Sequence, residues 1–206
     1  MSEILAAHRW VTNSALIADV AMLGYLDGTV LDVTFGHEGG FWKCWRPESL
    51  TTSDLYAPAD HAWDYTDLPC ADASFDAVVF DPDYKLNGTP ALPEQDRRYG
   101  VDIPKNRKER MGDIRAGALE GFRVCRTHLL VKCQDQVEGG KVRWQTIMVT
   151  EAIEAVGGRL VDRFEFLTTP RPQPGDRVQR TARRNYSTLL VFKKNAGTWR
   201  DDWEAS

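Results

Sequence analysis

Features typical of secreted, membrane-spanning and metal-binding proteins are scarce in this sequence. Its 206 residues include only 4 cysteines and 4 histidines, which form no CxxC pair and no cluster with the spacing of zinc ligands. Charged residues interrupt the N-terminal stretch MSEILAAHRWVTNSALIADVAML, which therefore resembles neither a signal peptide nor a membrane span. We expect a cytoplasmic protein with reduced thiols, without bound metal and without membrane association.

Internal repeats and low-complexity stretches are also absent, and 42% of the residues are hydrophobic. A chain of this length and composition suits one substantial core, so residues 1–206 are predicted to form a single domain. The formal net charge of −4 conceals an asymmetry: residues 1–104 contain 17 acidic and 6 basic residues, whereas residues 105–206 contain 13 acidic and 20 basic residues. The first half therefore suits a neutral or cationic ligand, and the second an anionic partner.

Helical and strand-like periodicities alternate along the chain. Helical spacing of apolar residues occurs at 11–24, 107–125 and 142–156, and apolar runs typical of strands occur at 29–33, 50–55, 75–80, 128–133, 160–167 and 186–192. This order predicts an α/β fold of the Rossmann-like, doubly wound type, in which a mainly parallel sheet has helices on both faces. Because two strands follow each other at the end, the last strand is expected to be antiparallel.

Carboxylates follow the predicted strands at the edge of the sheet where ligands bind in such folds. They are Asp32, Asp54, Asp64 and Asp81. The loop Gly36–Gly40 permits close backbone approach but lacks the G-x-G-x-x-G pattern of dinucleotide sites, and its Glu38 would repel a pyrophosphate. A nucleoside with hydroxyl groups, an exocyclic amine and a cationic tail fits this pattern better.

Two stretches carry a family resemblance, VLDVTFGHEGGFW and DYTDLPCADASFDAVVFDPDY. They resemble the nucleotide-binding and D-P-P-Y motifs of class I S-adenosylmethionine-dependent methyltransferases, especially the small DNA amino-methyltransferases of actinobacteria and their phages. The segments LLVKCQDQV and DPDYKLNG are similar to those of the same small enzymes. The resemblance spans about residues 28–194 and implies a seven-stranded sheet, with a cofactor-binding half at 28–80 and a catalytic and substrate half at 81–194.

The resemblance implies S-adenosylmethionine as cofactor and assigns residues to it. The implied contacts are Asp32, Thr34, Phe35, Gly36, Gly39, Asp54, Asp64 and Tyr65. Asp32 and the glycine loop would approach the methionine portion, and Asp54 would accept hydrogen bonds from the ribose. Asp64 would contact the adenine amine, with Tyr65 or Leu68 covering the ring. Taken singly, these aspartates are also typical of helix caps and loop turns.

The motif Asp81-Pro82-Asp83-Tyr84 would carry the chemistry that the resemblance implies. Asp81 and the Pro82 carbonyl would accept the two protons of an amine, which directs its lone pair at the methyl group. Tyr84 would stack on a base turned out of its helix. Asp83 stands where the family has a second proline, which removes a φ restraint and adds a negative charge.

Basic residues of the second half predict the substrate surface. The expected contacts are Lys85, Asn87, Lys132, Arg171, Arg177, Arg180, Arg183 and Arg184, most of them in two long loops, 85–107 and 168–185. Such a surface suits the phosphate backbone of DNA, or alternatively RNA, although runs of charge are also typical of a solvated face. The chain is expected to act as a monomer or homodimer.

These expectations combine into one hypothesis, methyl transfer to an exocyclic amine of a nucleic-acid base. The resemblance favours adenine N6 of DNA over cytosine, because the motif begins with Asp here, whereas Ser is the more frequent first residue in family members that act on cytosine. The alternatives are an RNA base, a glutamine side chain of a protein, or a non-catalytic nucleic-acid or nucleotide-binding module derived from a methyltransferase.

Overall fold

A six-stranded sheet organises the computed structural model, which describes residues 10–84, 86, 106–168, 181–182 and 184–195. The elements in chain order are α1 (Asn13–Met22), β1 (Thr29–Asp32), β2 (Ser49–Thr52), β3 (Phe75–Phe80), α2 (Arg107–Val124), β4 (Cys125–Cys133), β5 (Gln136–Glu138), β6 (Lys141–Arg143), α3 (Gln145–Glu154), β7 (Gly158–Leu167) and β8 (Tyr186–Lys194). The strand order across the sheet is β2-β1-β3-β4-β8-β7, and β5 pairs with β6 in a separate hairpin.

The strand directions confirm a mainly parallel sheet in which the last strand of the chain, β8, is antiparallel. β1 is parallel to β2 and β3, and β3 is parallel to β4. β8 lies antiparallel between β4 and β7. The carboxyl ends of the first four strands therefore meet at one edge of the sheet, as the sequence predicts.

The expectation of a seven-stranded sheet is wrong for the described residues, because their main sheet has six strands. Beside β2, where a seventh strand would lie, Ser53 and His61 make only an isolated parallel bridge. The Asp60 carboxylate accepts hydrogen bonds from the backbone N–H and the hydroxyl of Thr52, at 2.9 and 2.8 Å. A side chain therefore satisfies the edge of β2 where a strand would otherwise pair.

Helices cover both faces of the sheet, as predicted. Alternate residues of β3 point to opposite sides: Val78 packs in the cluster that contains residues of α2 and α3, and Val79 packs in the cluster that contains residues of α1. Both valines are fully buried, which contributes roughly 1.5–3 kcal/mol for each such side chain. Between β1 and β2 the chain forms turns instead of a helix, and Phe41 and Trp42 pack on the sheet from there.

Side-chain caps explain where α1 and α2 begin. Thr12 caps α1 by accepting a hydrogen bond from Ala15 N at 3.1 Å, and α2 begins with a capping box between Asn106 and Glu109. The prediction of a helix from residue 142 was wrong, because Gly139 and Gly140 both have positive φ and form the turn of the β5–β6 hairpin. α3 therefore begins at Gln145.

No helix in the described ranges is long and apolar enough to span a membrane. Within the same ranges, no group of three or more histidine, cysteine, aspartate or glutamate side chains is arranged to hold a metal ion.

Candidate active site

A cavity of about 600 Å³ opens at the carboxyl ends of β1, β2 and β3. Its lining includes ten of the residues predicted from the sequence: Asp32, Thr34, Phe35, Gly36, Asp54, Asp64, Tyr65, Asp81, Pro82 and Asp83. The volume lies in the range typical of small-molecule and cofactor sites. The structure therefore brings the predicted cofactor residues and the start of the D-P-D-Y motif to one cavity.

Asp32 forms the buried end of β1 and is 2% exposed. Its two oxygens accept hydrogen bonds from Thr34 N at 2.9 Å and from the indole N–H of Trp42 at 2.7 Å. Burial raises the pKa of Asp32 to about 7, and the neighbouring carboxylates of Asp81 and Asp54 act in the same direction. A cationic ligand in the cavity would favour the ionised form of this carboxyl group.

The glycine loop after β1 is tied to the end of β2. Gly36 has a φ of +70° and donates its N–H to Asp54 Oδ2 at 2.9 Å. Gly39 lies against the ring of Phe35, where a Cβ would come within 2.7 Å of the ring. Gly40, rather than Gly39, contributes to the cavity lining.

Asp54 has a clear structural task in addition to its place in the cavity. Its Oδ1 accepts hydrogen bonds from Tyr56 N and Ala57 N, at 2.7 and 2.8 Å, while Oδ2 holds Gly36. The carboxylate thus shapes the turn after β2 and joins it to the glycine loop. Its contact with a ribose stays a prediction, and the turn explains why the strand ends at Thr52 rather than at residue 55.

The segment after the β2 edge supplies Asp64 and Tyr65. Asp64 is exposed and accepts hydrogen bonds from the N–H and hydroxyl of Thr66, at 2.8 and 2.7 Å. The Tyr65 ring packs on Phe80 with ring centroids 5.0 Å apart, and burial raises the pKa of its hydroxyl to about 12. Tyr65 therefore presents a half-buried aromatic wall to the cavity.

The D-P-D-Y loop follows β3 and begins with an anchored Asp81. Asp81 N donates to Thr34 Oγ1 at 2.7 Å. Its side-chain Oδ1 is buried and has no hydrogen-bond partner among the residues that the structure describes. Burial raises the pKa of Asp81, whereas Lys132 opposes this rise and Asp83 adds to it. The described residues therefore give this oxygen no hydrogen-bond donor, and the nearest cation is the Lys132 ammonium at 3.9 Å. The Asp81 side chain as a whole is 25% exposed and lines the cavity.

Lys132, predicted as a substrate contact, lies on β4 and is 2% exposed. Its ammonium is 3.9 Å from Asp81 Oδ1 and lies 5.4–5.9 Å from the centres of three aromatic rings, those of Phe41, Tyr84 and Phe166. Aromatic faces attract cations at such distances. Lys132 is therefore a buried positive charge beside the carboxylate of the motif, and its contact with substrate stays a prediction.

The remaining predicted substrate residues are mostly beyond the described ranges. Lys85, Asn87, Arg171, Arg177, Arg180 and Arg183 lie outside them, as do most of the two loops 85–107 and 168–185. Arg184 is described, and its guanidinium lies 5.2 Å from the ring centre of Trp144, an indole that is 43% exposed.

Sequence reasoning missed several residues of the cavity. Asn13, at the first turn of α1, lines it and has a buried Oδ1 without a hydrogen-bond partner in the described part of the chain. Arg110 and Asp113 also line it, from one face of α2. The sequence around Asn13 indicates only a helix cap. The three-residue spacing of Arg110 and Asp113, by contrast, indicates that both side chains lie on the same face of a helix.

Comparison with known proteins gives a fold but no sequence family. No family model matches the chain, and no curated protein sequence matches it. Among solved structures, Thermoplasma acidophilum 1320 is 13% identical with a TM-score of 0.53 and 89% of each chain covered. A Methanosarcina mazei SAM-dependent methyltransferase is 12% identical with a TM-score of 0.51, over 84% of this chain and 96% of the other.

The chain therefore shares its fold with a solved S-adenosylmethionine-dependent methyltransferase, and at 12% identity the likeness extends to the fold alone. A Thermus thermophilus protein, described as a candidate DNA modification methylase and solved with S-adenosyl-L-methionine, has a TM-score of 0.44 and 13% identity, over 82% of this chain and 57% of its own. A likeness at that level is too weak to assign a substrate.

Proposed function

We propose that the protein binds S-adenosylmethionine and transfers its methyl group to the exocyclic amine of a nucleic-acid base, with adenine N6 of DNA as the acceptor. The observation that carries this proposal is the Asp81 carboxylate, because its side chain is 25% exposed and lines the cavity together with other carboxylates. A carboxylate at a cavity wall is an acceptor for the N–H group of an incoming ligand.

The residues of the cavity fit this cofactor. Its described lining contains Asp32, Asp54, Asp64, Asp81, Asp83, Asp113 and Glu38 against one arginine, Arg110. Such a negative surface favours a ligand with a sulfonium and an ammonium group and disfavours a pyrophosphate. Asp32, at the end of β1, would lie near the cationic tail of the cofactor. The Tyr65 ring would pack against its adenine ring.

The chain's own groups would prepare the amine for attack. The lone pair of an exocyclic amine is delocalised into its ring, so the amine needs hydrogen bonds that turn this pair towards the methyl group. Asp81 and the Pro82 carbonyl would accept the two N–H protons and stabilise the developing positive charge. The cofactor would supply an electrophilic methyl group, which leaves its sulfonium with the bonding electrons going to sulfur. The amine nitrogen then loses one proton to solvent.

A nucleic acid is the favoured carrier of the amine because its phosphates are negatively charged and the second half of the chain is basic. The second half of the chain has the basic excess, and the Arg184 guanidinium lies 5.2 Å from the ring centre of the exposed Trp144. Basic side chains next to an exposed aromatic ring suit a phosphate backbone and an unstacked base. The RNA-base and protein-glutamine alternatives share the same chemistry and differ only in the carrier.

Asp83 favours a second candidate function, a binding module without catalysis. This residue replaces the second proline of the motif and raises the pKa of Asp81 through its charge. Both effects would weaken the acceptor site. Such a module would bind the cofactor or a nucleotide and transfer no methyl group.

Calorimetric titration of the cofactor, together with a labelled methyl-transfer assay, separates these functions. We expect S-adenosylmethionine and S-adenosylhomocysteine to bind, and labelled methyl transfer to unmethylated duplex DNA to exceed transfer to RNA or protein. Asp81→Ala should abolish transfer and retain cofactor binding, whereas Asp72→Ala, at a carboxylate outside the cavity lining, should change neither. Absence of binding of both compounds at high micromolar concentration would exclude the enzyme, and binding without transfer to any carrier would support the module.

A further inference from the structure

The D-P-D-Y loop is restrained at its far end by contacts that the motif itself does not predict. Two glutamine side chains, Gln136 and Gln145, donate their Nε2 groups to the backbone carbonyl oxygen of Tyr84, at 2.7 and 2.9 Å. A carbonyl oxygen only accepts hydrogen bonds, so both side-chain amides must direct their N–H groups towards it. The two bonds occupy both lone pairs of this oxygen.

Gln145 is itself held firmly. It is 0% exposed, and its Oε1 accepts a hydrogen bond from Gln134 N at 3.3 Å. Next to it, the buried Asp135 carboxylate accepts hydrogen bonds from Thr146 N and Thr146 Oγ1, each at 3.0 Å. Asp135 thereby caps α3, which has no cap from the side chain of its own N-cap residue. The position of Gln145 is thus set by the start of a helix.

Gln136 reaches the same carbonyl from the β5–β6 hairpin. The hairpin is tied to α2 because Glu138 binds Arg107 at 2.7 Å and also Arg143, on the facing strand, at 2.9 Å. Two separate elements therefore converge on one atom of the loop. At the other end of the loop, Thr34 accepts the N–H of Asp81.

This arrangement offsets the missing proline. A proline at position 83 would fix φ of that residue, and aspartate leaves it free. We propose that Gln136 and Gln145 are positioning residues that hold the Asp81–Tyr84 loop in its acceptor geometry in place of the second proline. Their catalytic consequence rests on the proposed function, whereas the restraint of the loop does not.

Hydrogen exchange tests the restraint without activity. In Gln136→Met the side chain keeps its approximate length but cannot donate, so peptides that contain residues 81–84 should exchange several-fold faster than in the wild type. Gln145→Met should have the same effect. Gln134→Met is the matched control, because the side chain of Gln134 donates to the carbonyls of Tyr186 and Arg184 instead. Unchanged exchange in Gln136→Met, in a protein with wild-type circular dichroism, would overturn the proposal.

Methyl transfer to PCR-amplified duplex DNA tests the consequence. Each single variant should lose about fivefold in kcat with an unchanged dissociation constant for S-adenosylmethionine, since one neutral hydrogen bond is removed from the loop. The decisive comparison adds Asp83→Pro. In that background Gln136→Met should lower kcat by less than about twofold, because the proline supplies the same restraint.

The outcomes distinguish the two proposals. Equal losses in the presence and absence of Asp83→Pro would show that the glutamines do not replace the proline. A wild-type protein that neither binds the cofactor nor transfers methyl groups would refute the proposed function, and the hydrogen-exchange comparison would still decide whether the glutamines restrain the loop.

Discussion

At the scale of single residues, Asp81 and Lys132 are the most consequential pair. Asp81 follows β3 and Lys132 lies on the neighbouring strand β4, and their side chains approach to 3.9 Å. Burial favours the neutral form of Asp81, and the Asp83 carboxylate adds to this, whereas the Lys132 ammonium favours the ionised form that an acceptor requires. The balance among these charges decides the pH at which the site can bind an amine.

Replacement of Lys132 should move that pH. In Lys132→Met the pKa of Asp81 rises, so the acid limb of kcat/KM should shift upward by about one pH unit or more. The pH profile of methyl transfer measures this shift. The control is Lys193→Met, which should leave the profile unchanged. Lys193 is an exposed lysine of β8 that pairs with His128 of β4. An unshifted acid limb in Lys132→Met would contradict the assigned charge coupling.

Asp32 predicts a pH dependence of cofactor binding. Its pKa of about 7 lies well above that of an ordinary aspartate, so the free protein carries a proton there at mildly acidic pH. A cationic ligand favours the carboxylate, and affinity should therefore rise about tenfold from about pH 6 to about pH 8. Calorimetry in buffers of different ionisation enthalpy should show proton release on binding. Binding without proton release near pH 7 would contradict this role.

At the scale of elements, α2 must approach the cavity wall closely. A Cβ on Gly117 would lie 2.5 Å from Phe80 Cζ and 2.6 Å from Tyr65 Cδ2, whereas a Cβ on Gly112 would meet nothing within 4 Å. Both glycines belong to the same helix. The absence of a side chain at 117 therefore lets Tyr65 pack between the helix and the sheet.

Alanine substitutions at these two glycines should change the free energy of unfolding in opposite directions. Gly117→Ala should destabilise the protein by roughly 1–3 kcal/mol through overpacking and weaken cofactor binding by displacing Tyr65. Gly112→Ala should stabilise the helix by up to about 1 kcal/mol and leave binding unchanged. Denaturant unfolding and calorimetry measure the two effects. Equal stability changes in both variants would show that the close contact at Gly117 is not required.

Element types could be predicted from the sequence more reliably than the details between them. The strand β3 was predicted with its observed bounds, because its apolar run is nearly continuous and ends at Asp81. The β5–β6 hairpin was missed, because its strands are three residues each and Val142 also fits the helical period that continues into α3. The seventh strand was expected by resemblance alone, and Asp60 satisfies the β2 edge instead.

At the scale of the whole molecule, the charge asymmetry predicts salt-dependent binding of nucleic acid. Binding of mixed-sequence duplex DNA should weaken at least about tenfold between about 50 and about 200 mM salt, as phosphate contacts release counterions. Arg184→Ala should reduce the slope of the logarithmic salt plot by about one. Arg46 is an exposed arginine of the acidic half, and Arg46→Ala should leave this slope unchanged. Fluorescence anisotropy measures both, and salt-independent binding would argue against a phosphate-backbone partner.

The sequence by itself determined the succession of strands and the carboxylates at their ends, because periodicity and chain order are local properties that survive into a parallel sheet. Only the tertiary structure decided that Lys132 lies beside Asp81, that Asn13 reaches the cavity, and that Gln136 and Gln145 meet at the Tyr84 carbonyl. These contacts depend on the register of β4 with its neighbours and on where α1 and α3 begin. Such relations join residues far apart in the chain, and no local pattern encodes them.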